Sequence, residues 1–211
     1  MISVDTAIVG AGPAGAAAAH SLASAGHDVL LIDKATFPRD KFCGDGLTTL
    51  CLRQLEEMGF SPSAIPSFTP VHAAVLHAPK QCIAADGMWS PVRKMLGLNT
   101  DGYRGEWHAF RQYFEDGRAN VGFGIMRGGD LSTQDMKALW PDLLQRPHIR
   151  KVLGENATPE SPHRAWPIPA RIDTAPLRGP RTMFVGDAAT ACDTLTGEGI
   201  GQALLTGREA A

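Results

Sequence analysis

Residues 4–33 read VDTAIVGAGPAGAAAAHSLASAGHDVLLID, and they constrain the fold more than any other stretch. An apolar run ends in Gly10, and Gly12 and Gly15 complete G-x-G-x-x-G just as an alanine-rich, helix-forming run begins. The first glycine permits a tight turn, the second lets an anion approach the backbone, and the third lets helix pack on strand. The free N–H groups of a helix start add donors and a partial positive charge. A second apolar run, Val29 to Ile32, closes on Asp33, where a carboxylate can accept from both hydroxyls of an adenosine ribose. Strand, glycine turn, helix, strand and acid together predict a βαβ unit that binds a dinucleotide. The parent fold is then an α/β domain with a doubly wound parallel sheet covered by helices.

Composition adds mainly exclusions. A 44% hydrophobic and 20% charged chain of 211 residues with formal net charge −2 is globular, and nothing in its charge points to nucleic acid. The four cysteines, Cys43, Cys51, Cys82 and Cys192, form no C-x-x-C pair, so neither a zinc site nor a disulfide framework is indicated. His72, His77 and His108 lack metal-like spacing. The N-terminus does not read as a signal peptide and no run reaches membrane-spanning length. A cytoplasmic protein with reduced thiols is expected, and attachment to a membrane surface is left open.

Along the chain, Val4 to Val9 and Val29 to Ile32 read as buried strands, Pro13 to Ala25 and Leu47 to Met58 as helices, and Val71 to His77 as a strand. "HAFRQYF" (108–114) and "ANVGFGI" (119–125) read as strands joined by "EDGR", in the manner of a hairpin. "STQDMKALWPDLLQ" (132–145) is predicted helical on either side of Pro141, "RTMFVGD" (181–187) as a buried strand, and "TGEGIGQALLTGREAA" as a helix running to the last residue.

Two further segments carry chemistry. "AADGMWSPVR" places Asp86, Gly87, Ser90 and Arg93 after a short apolar run, which fits either a cofactor contact or a plain strand end and turn. "MFVGDAATACDTLTGEGIGQAL" delivers Gly186 and Asp187 at the carboxyl end of its strand, the edge where open α/β sheets bind ligands. Asp187 can accept from a ribityl hydroxyl. Gly197, Gly199 and Gly201 suit a flat ring lying against backbone, and a helix mouth there would stabilise the negative charge of a reduced flavin.

In this order the three segments resemble the FAD-dependent oxidoreductases that include aromatic hydroxylases and geranylgeranyl reductases. "GAGPAG" looks like the ADP-binding fingerprint, "ADGMWSPVR" like the motif contacting FAD and a nicotinamide cofactor, and "GDAATACDTLTGEGI" like the ribityl-binding motif, with Thr194 where relatives usually carry proline. "FPRDKFCGDGLTTLCLRQLEEMG", through Lys41, Cys43, Gly44, Asp45 and Gly46, is similar to the geranylgeranyl reductase branch, as are "HAFRQYF", "ANVGFGI" and "WPIP" (166–169). "RAWPIP" also partly resembles an element of flavin halogenases, W-x-W-x-I-P, but Arg164 stands at the first tryptophan, which argues against halogenation.

The resemblance implies a Rossmann-like, glutathione-reductase-like FAD-binding domain from residues 1–70, 80–100 and 176–211, with a smaller, incomplete β-rich substrate domain from 71–79 and 101–175. It implies FAD reduced by NAD(P)H or another donor, then hydride transfer to an isoprenoid C=C bond; flavin-dependent hydroxylation of an aromatic or polyketide is the alternative. The implied cofactor contacts are Gly10, Gly12, Ala14, Gly15, Asp33, Lys34, Arg39, Cys43, Gly44, Asp86, Arg93, Gly186, Asp187, Gly197, Gly199 and Ile200. Cys43 is either the proton donor or a small buried residue. Arg39 and Lys41 either bind phosphate or are solvated, and Arg111 faces either the flavin or solvent. The substrate is expected to be small and lipophilic, with peripheral membrane contact left open. The interval from Gly15 to Asp86 and the tight join at "EDGR" are too short for the elements that relatives carry there. Stretches near residues 80 and 117 of a longer protein are therefore expected to be absent from the chain, with a natural minimal variant as the rival.

Overall fold

The computed structural model describes residues 3–39, 46–70, 97, 102–114, 119–194 and 197–211. The architecture is mixed α/β. Strand β1 (Thr6–Val9), helix α1 (Pro13–Ser24) and strand β2 (Val29–Ile32) form the expected βαβ unit, with β1 and β2 parallel and Thr6 opposite Val29. Both strands were expected to be buried, yet Val9 is 68% and Ile32 46% exposed. The parallel sheet has two strands among the described residues, so part of its apolar surface lacks a covering layer.

Helix α2 (Thr49–Glu57) starts at Thr48, whose hydroxyl accepts from the Cys51 N–H at 3.3 Å. The last helix, α5 (Ile200–Glu209), ends before the terminal residues instead of running through them. Ala17 of α1, Cys51 of α2 and Leu204 of α5 form one buried cluster, with Leu55, Met58 and Ile200 packed around it. Arg208 on α5 reaches both Gln54 and Glu57 of α2 and fastens the pair from outside.

A second body is built on strands β3 (Trp107–Phe114), β4 (Ala119–Met126) and β5 (Arg164–Ile168), in the order β4-β3-β5, all antiparallel. Their alternation sends Phe110, Phe114 and Val121 to one face, where they pack with Met136 and Trp140 of helix α3 (Thr133–Leu144). Buried Gln112 is satisfied at both ends: its amide donates to the Ser161 carbonyl at 2.6 Å, and its carbonyl accepts from Trp140 Nε1 at 3.0 Å. The opposite face carries Trp107, which packs with Ile168, Ala170 and Cys192.

α3 is one helix, not two segments parted by Pro141. A Ser132–Asp135 capping box secures its start, and Trp140 and Leu143 pack into the strand cluster on both sides of the proline. With only three residues left before the helix ends, the missing N–H disturbs little of the ladder. A short helix α4 (Pro147–Leu153) follows.

The expected strand at 181–187 is also shorter. Strand β6 (Arg178–Gly179) pairs with strand β7 (Thr182–Met183), while Phe184 and Val185 run on outside the ladder into a 3-10 turn at Gly186–Ala189. Thr190 ends that turn at φ 56 and ψ 34, is 1% exposed, and its buried hydroxyl has no hydrogen-bond partner. Left-handed backbone costs a β-branched residue roughly 1–2 kcal/mol, and an unsatisfied buried hydroxyl adds to that. Thr190→Gly removes both penalties at the cost of some packing, so we expect a net gain of about 1 kcal/mol, read as a higher melting temperature.

Candidate functional site

The glycine turn has the geometry its sequence requires. Gly10 sits at φ +107, and its N–H donates to the Ile32 carbonyl at 2.7 Å, which ties the turn to β2. A β-carbon on Gly15 would lie 1.8 Å from the Gly10 carbonyl oxygen, so α1 can close on the strand end only with glycine there. At Gly10 and Gly12 an added β-carbon would meet nothing within 4 Å. Both face a cleft of about 1090 Å³. Gly12 is also the N-cap of α1, with no side chain capping it and no acid in the first turn. That leaves a helix start with no capping side chain on the cleft, which suits a pyrophosphate.

Asp33 lies at the end of β2 as expected and already has structural work. One carboxylate oxygen accepts from the Ala11 N–H and the other from the Ala35 N–H, each at 2.8 Å. Each oxygen retains a second lone pair for a ribose hydroxyl. The backbone bonds from Ala35 and Ala11 hold its pKa below the usual value, against a smaller opposing effect of burial, with Arg39 and Lys34 helping. A depressed folded-state pKa means that the clasp contributes above the unfolded-state value and is lost as pH falls through the folded one. We therefore expect the Ala11 amide to stay protected from exchange at neutral pH and to lose protection in acid, below about pH 4. In Asp33→Asn this acid transition should disappear.

The second glycine-rich segment arrives at the same cleft. Asp187, Gly197, Gly199 and Ile200 line it together with Gly10 and Gly12. Gly186, at φ +56, is wedged so that a β-carbon would stand 2.9 Å from Ala14 Cβ, and its N–H donates to Thr206 Oγ1 of α5 at 2.9 Å. Ala14 thus serves as the surface on which the 3-10 turn and α5 rest. Gly207 completes that contact, since a β-carbon there would lie 2.2 Å from the Ala14 carbonyl oxygen. Ile200 has two surfaces, one on the cleft and one in the three-helix cluster.

Lys34 and Arg39 are near Asp33 but do not line the cleft. Cys43, Gly44, Asp86 and Arg93 lie outside the described residues, as do Lys41, Asp45, the strand at Val71–His77 and the join at residues 115–118. Arg111 is 8% exposed and holds its guanidinium 4.1 Å above the Tyr113 ring, donating to the Tyr113 hydroxyl; it does not simply point to solvent. Among the described residues no cluster of His, Cys, Asp and Glu could hold a metal ion, and no helix is long and apolar enough to cross a membrane. The reading of motifs missed Glu198, Thr206 and Gly207. The partners of Thr206 and Gly207 are set by the docking of α5, with a glycine late in a good helix-forming run as the only local hint, whereas Glu198 bonds locally to the Gly201 N–H.

Comparison with known proteins agrees with this geometry. Residues 3–78 match the FAD binding domain family. The menaquinone reductase of Mycobacterium tuberculosis is 61% identical over 57 residues, 27% of this chain and 14% of that protein. The matched stretch is thus a small part of that relative. The digeranylgeranylglycerophospholipid reductase 1 of Methanopyrus kandleri is 26% identical over 308 residues, covering 97% of this chain and 78% of the relative. Because 308 aligned positions exceed the 211 residues of the chain, that relative contains stretches with no counterpart here. Among solved structures, a flavoprotein/dehydrogenase from Cytophaga hutchinsonii superposes with TM-score 0.63 at 16% identity, over 98% of this chain and 76% of its own. The flavin-dependent halogenase CmlS superposes with TM-score 0.59, also at 16% identity, over 100% of this chain and 57% of its own. At such identity these structures share the fold and nothing more. The conclusion is an α/β protein whose N-terminal part matches the FAD-binding domains, with relatives that support an FAD-dependent oxidoreductase.

Proposed function

We propose that the chain is an FAD-dependent oxidoreductase that reduces a C=C bond of an isoprenoid, built on a glutathione-reductase-like cofactor domain and a smaller substrate domain on β3, β4 and β5. The observation that carries this reading is the convergence of the glycine turn, Asp187 and the mouth of α5 on one cleft. In this reading Gly10, Gly12 and the first N–H groups of α1 hold the pyrophosphate. Asp33 accepts from the adenosine ribose while clasping the turn, with Lys34 and Arg39 flanking it. Gly15 and Ala14 set the closeness of the helices. Gly186 and Asp187 would hold the ribityl chain, and Gly197, Gly199 and Ile200 would hold the flavin ring. Cys43, Gly44, Asp86 and Arg93 are proposed to complete the site.

Bound FAD would supply a two-electron hydride carrier, loaded by NAD(P)H or another donor. The chain's own task is to orient the alkene, exclude water and bring a proton, which the Cys43 thiol is proposed to give to the alkene carbon that receives no hydride. The reductase names of two relatives favour this over hydroxylation. A lipophilic substrate implies access at a membrane surface.

Anaerobic turnover tests the proposal. With FAD, a chemical reductant and a prenylated quinone or lipid, the product should gain two hydrogens by mass spectrometry without oxygen. Product that forms only with O2 and carries an added oxygen atom would contradict it.

A further inference from the structure

The two glycine-rich mouths treat their helix ends differently. At α1 the anion comes from another element: the Asp33 carboxylate, at the end of β2, accepts from the Ala11 N–H just before the N-cap at 2.8 Å. α5 supplies its own anion: Glu198, one residue before the N-cap Gly199, folds back so that the Gly201 N–H donates to Glu198 Oε1 at 2.5 Å. A β-carbon on Gly201 would come within 2.9 Å of both carboxylate oxygens and 3.0 Å of the Cys51 nitrogen, so the third glycine makes room for Glu198 and for α2. The loop before it is tied down as well, the Asp193 N–H donating to the Glu198 carbonyl at 2.9 Å and the Gly197 N–H to the Asp193 carbonyl at 3.0 Å. Glu198 also lines the cleft.

A helix start carries roughly half a positive charge, and a carboxylate bonded to it acts in the opposite sense. Glu198 thus offsets the pull on electrons that a glycine-rich helix start would otherwise exert. Taking up two electrons and one proton leaves a flavin with one negative charge, which a fixed carboxylate opposes. We propose that Glu198 is a positioning residue that, through the mouth of α5, weakens binding of reduced FAD relative to oxidised FAD and so makes the bound flavin a stronger hydride donor. This rests on the proposed function and extends it, since an isolated alkene is a poor hydride acceptor.

The test is the midpoint potential of FAD bound to the intact chain, followed by absorbance during reduction with dithionite against a reference dye. E198Q keeps the hydrogen bond to Gly201 and removes the charge. It should raise the ratio of affinities for reduced and oxidised FAD about tenfold, an upward shift of about 30 mV for the two-electron couple. E198D, which keeps the charge, should stay near the wild-type potential. Bound FAD with an unchanged or lowered potential in E198Q overturns the inference alone. Failure of the wild-type chain to take up FAD overturns both it and the proposed function.

Discussion

Gly15→Ala is expected to be among the most damaging single substitutions in this chain. The added carbon would sit 1.8 Å from the Gly10 carbonyl oxygen and 3.3 Å from Ile8 Cγ2, against backbone that cannot rotate away. Relief requires α1 to move off β1, which opens the turn and takes with it the Gly10–Ile32 bond and the Asp33 clasp on Ala11. We expect a loss of about 3 kcal/mol, the upper end for overpacked sites, measured by urea unfolding, together with loss of FAD uptake. The mechanism is steric. A change to alanine at Gly12, where an added carbon meets no protein atom, should leave stability close to wild type and act on the ligand alone.

The second large effect is expected at Gly207→Ala, more than 190 positions further along the chain. An added carbon there would lie 2.2 Å from the Ala14 carbonyl oxygen and 3.2 Å from its α-carbon, so α1 and α5 could no longer touch. The loss extends beyond packing. α5 carries Thr206, which receives the Gly186 N–H, and its first turn forms one wall of the cleft. Destabilisation of about 3 kcal/mol should therefore be accompanied by weaker FAD uptake, although Gly207 does not line the cleft. If Gly207→Ala proved as stable and as competent in uptake as wild type, the α1–α5 contact would not be what aligns the two mouths.

These cases show what the sequence made legible. The βαβ unit, the β3–β4 pairing and the start of α5 follow from local signals: apolar runs of strand length, glycines at a turn, helix-forming residues between them. The placement of Gly10, Gly12, Asp187 and Gly199 on one cleft was legible through motif order, because each motif prescribes an end of a strand or helix. What escaped depends on contacts between distant parts of the chain. No periodicity shows that Gly207 meets Ala14 or that Thr206 satisfies Gly186. At Pro141 tertiary packing on Trp140 and Leu143 overrode a reliable helix breaker. Phe184 and Val185 carry the composition of a buried strand, yet a strand needs a neighbour, and beyond the β6–β7 pairs the segment adds only the bond from the Phe184 N–H to the Leu177 carbonyl. The one local miss is Glu198, whose carboxylate accepts from the Gly201 N–H at the helix end that the glycines expose.

The central claim is that one FAD spans both mouths, its ADP half at α1 and its flavin half at α5. Equilibrium titration of the intact chain with FAD, followed by flavin fluorescence, tests it when ADP and riboflavin 5′-phosphate are each added as competitors. The account predicts saturable uptake of one FAD per chain, displaced by either half-molecule. An absence of uptake, or bound FAD that ADP displaces while the flavin half leaves it untouched, would contradict it.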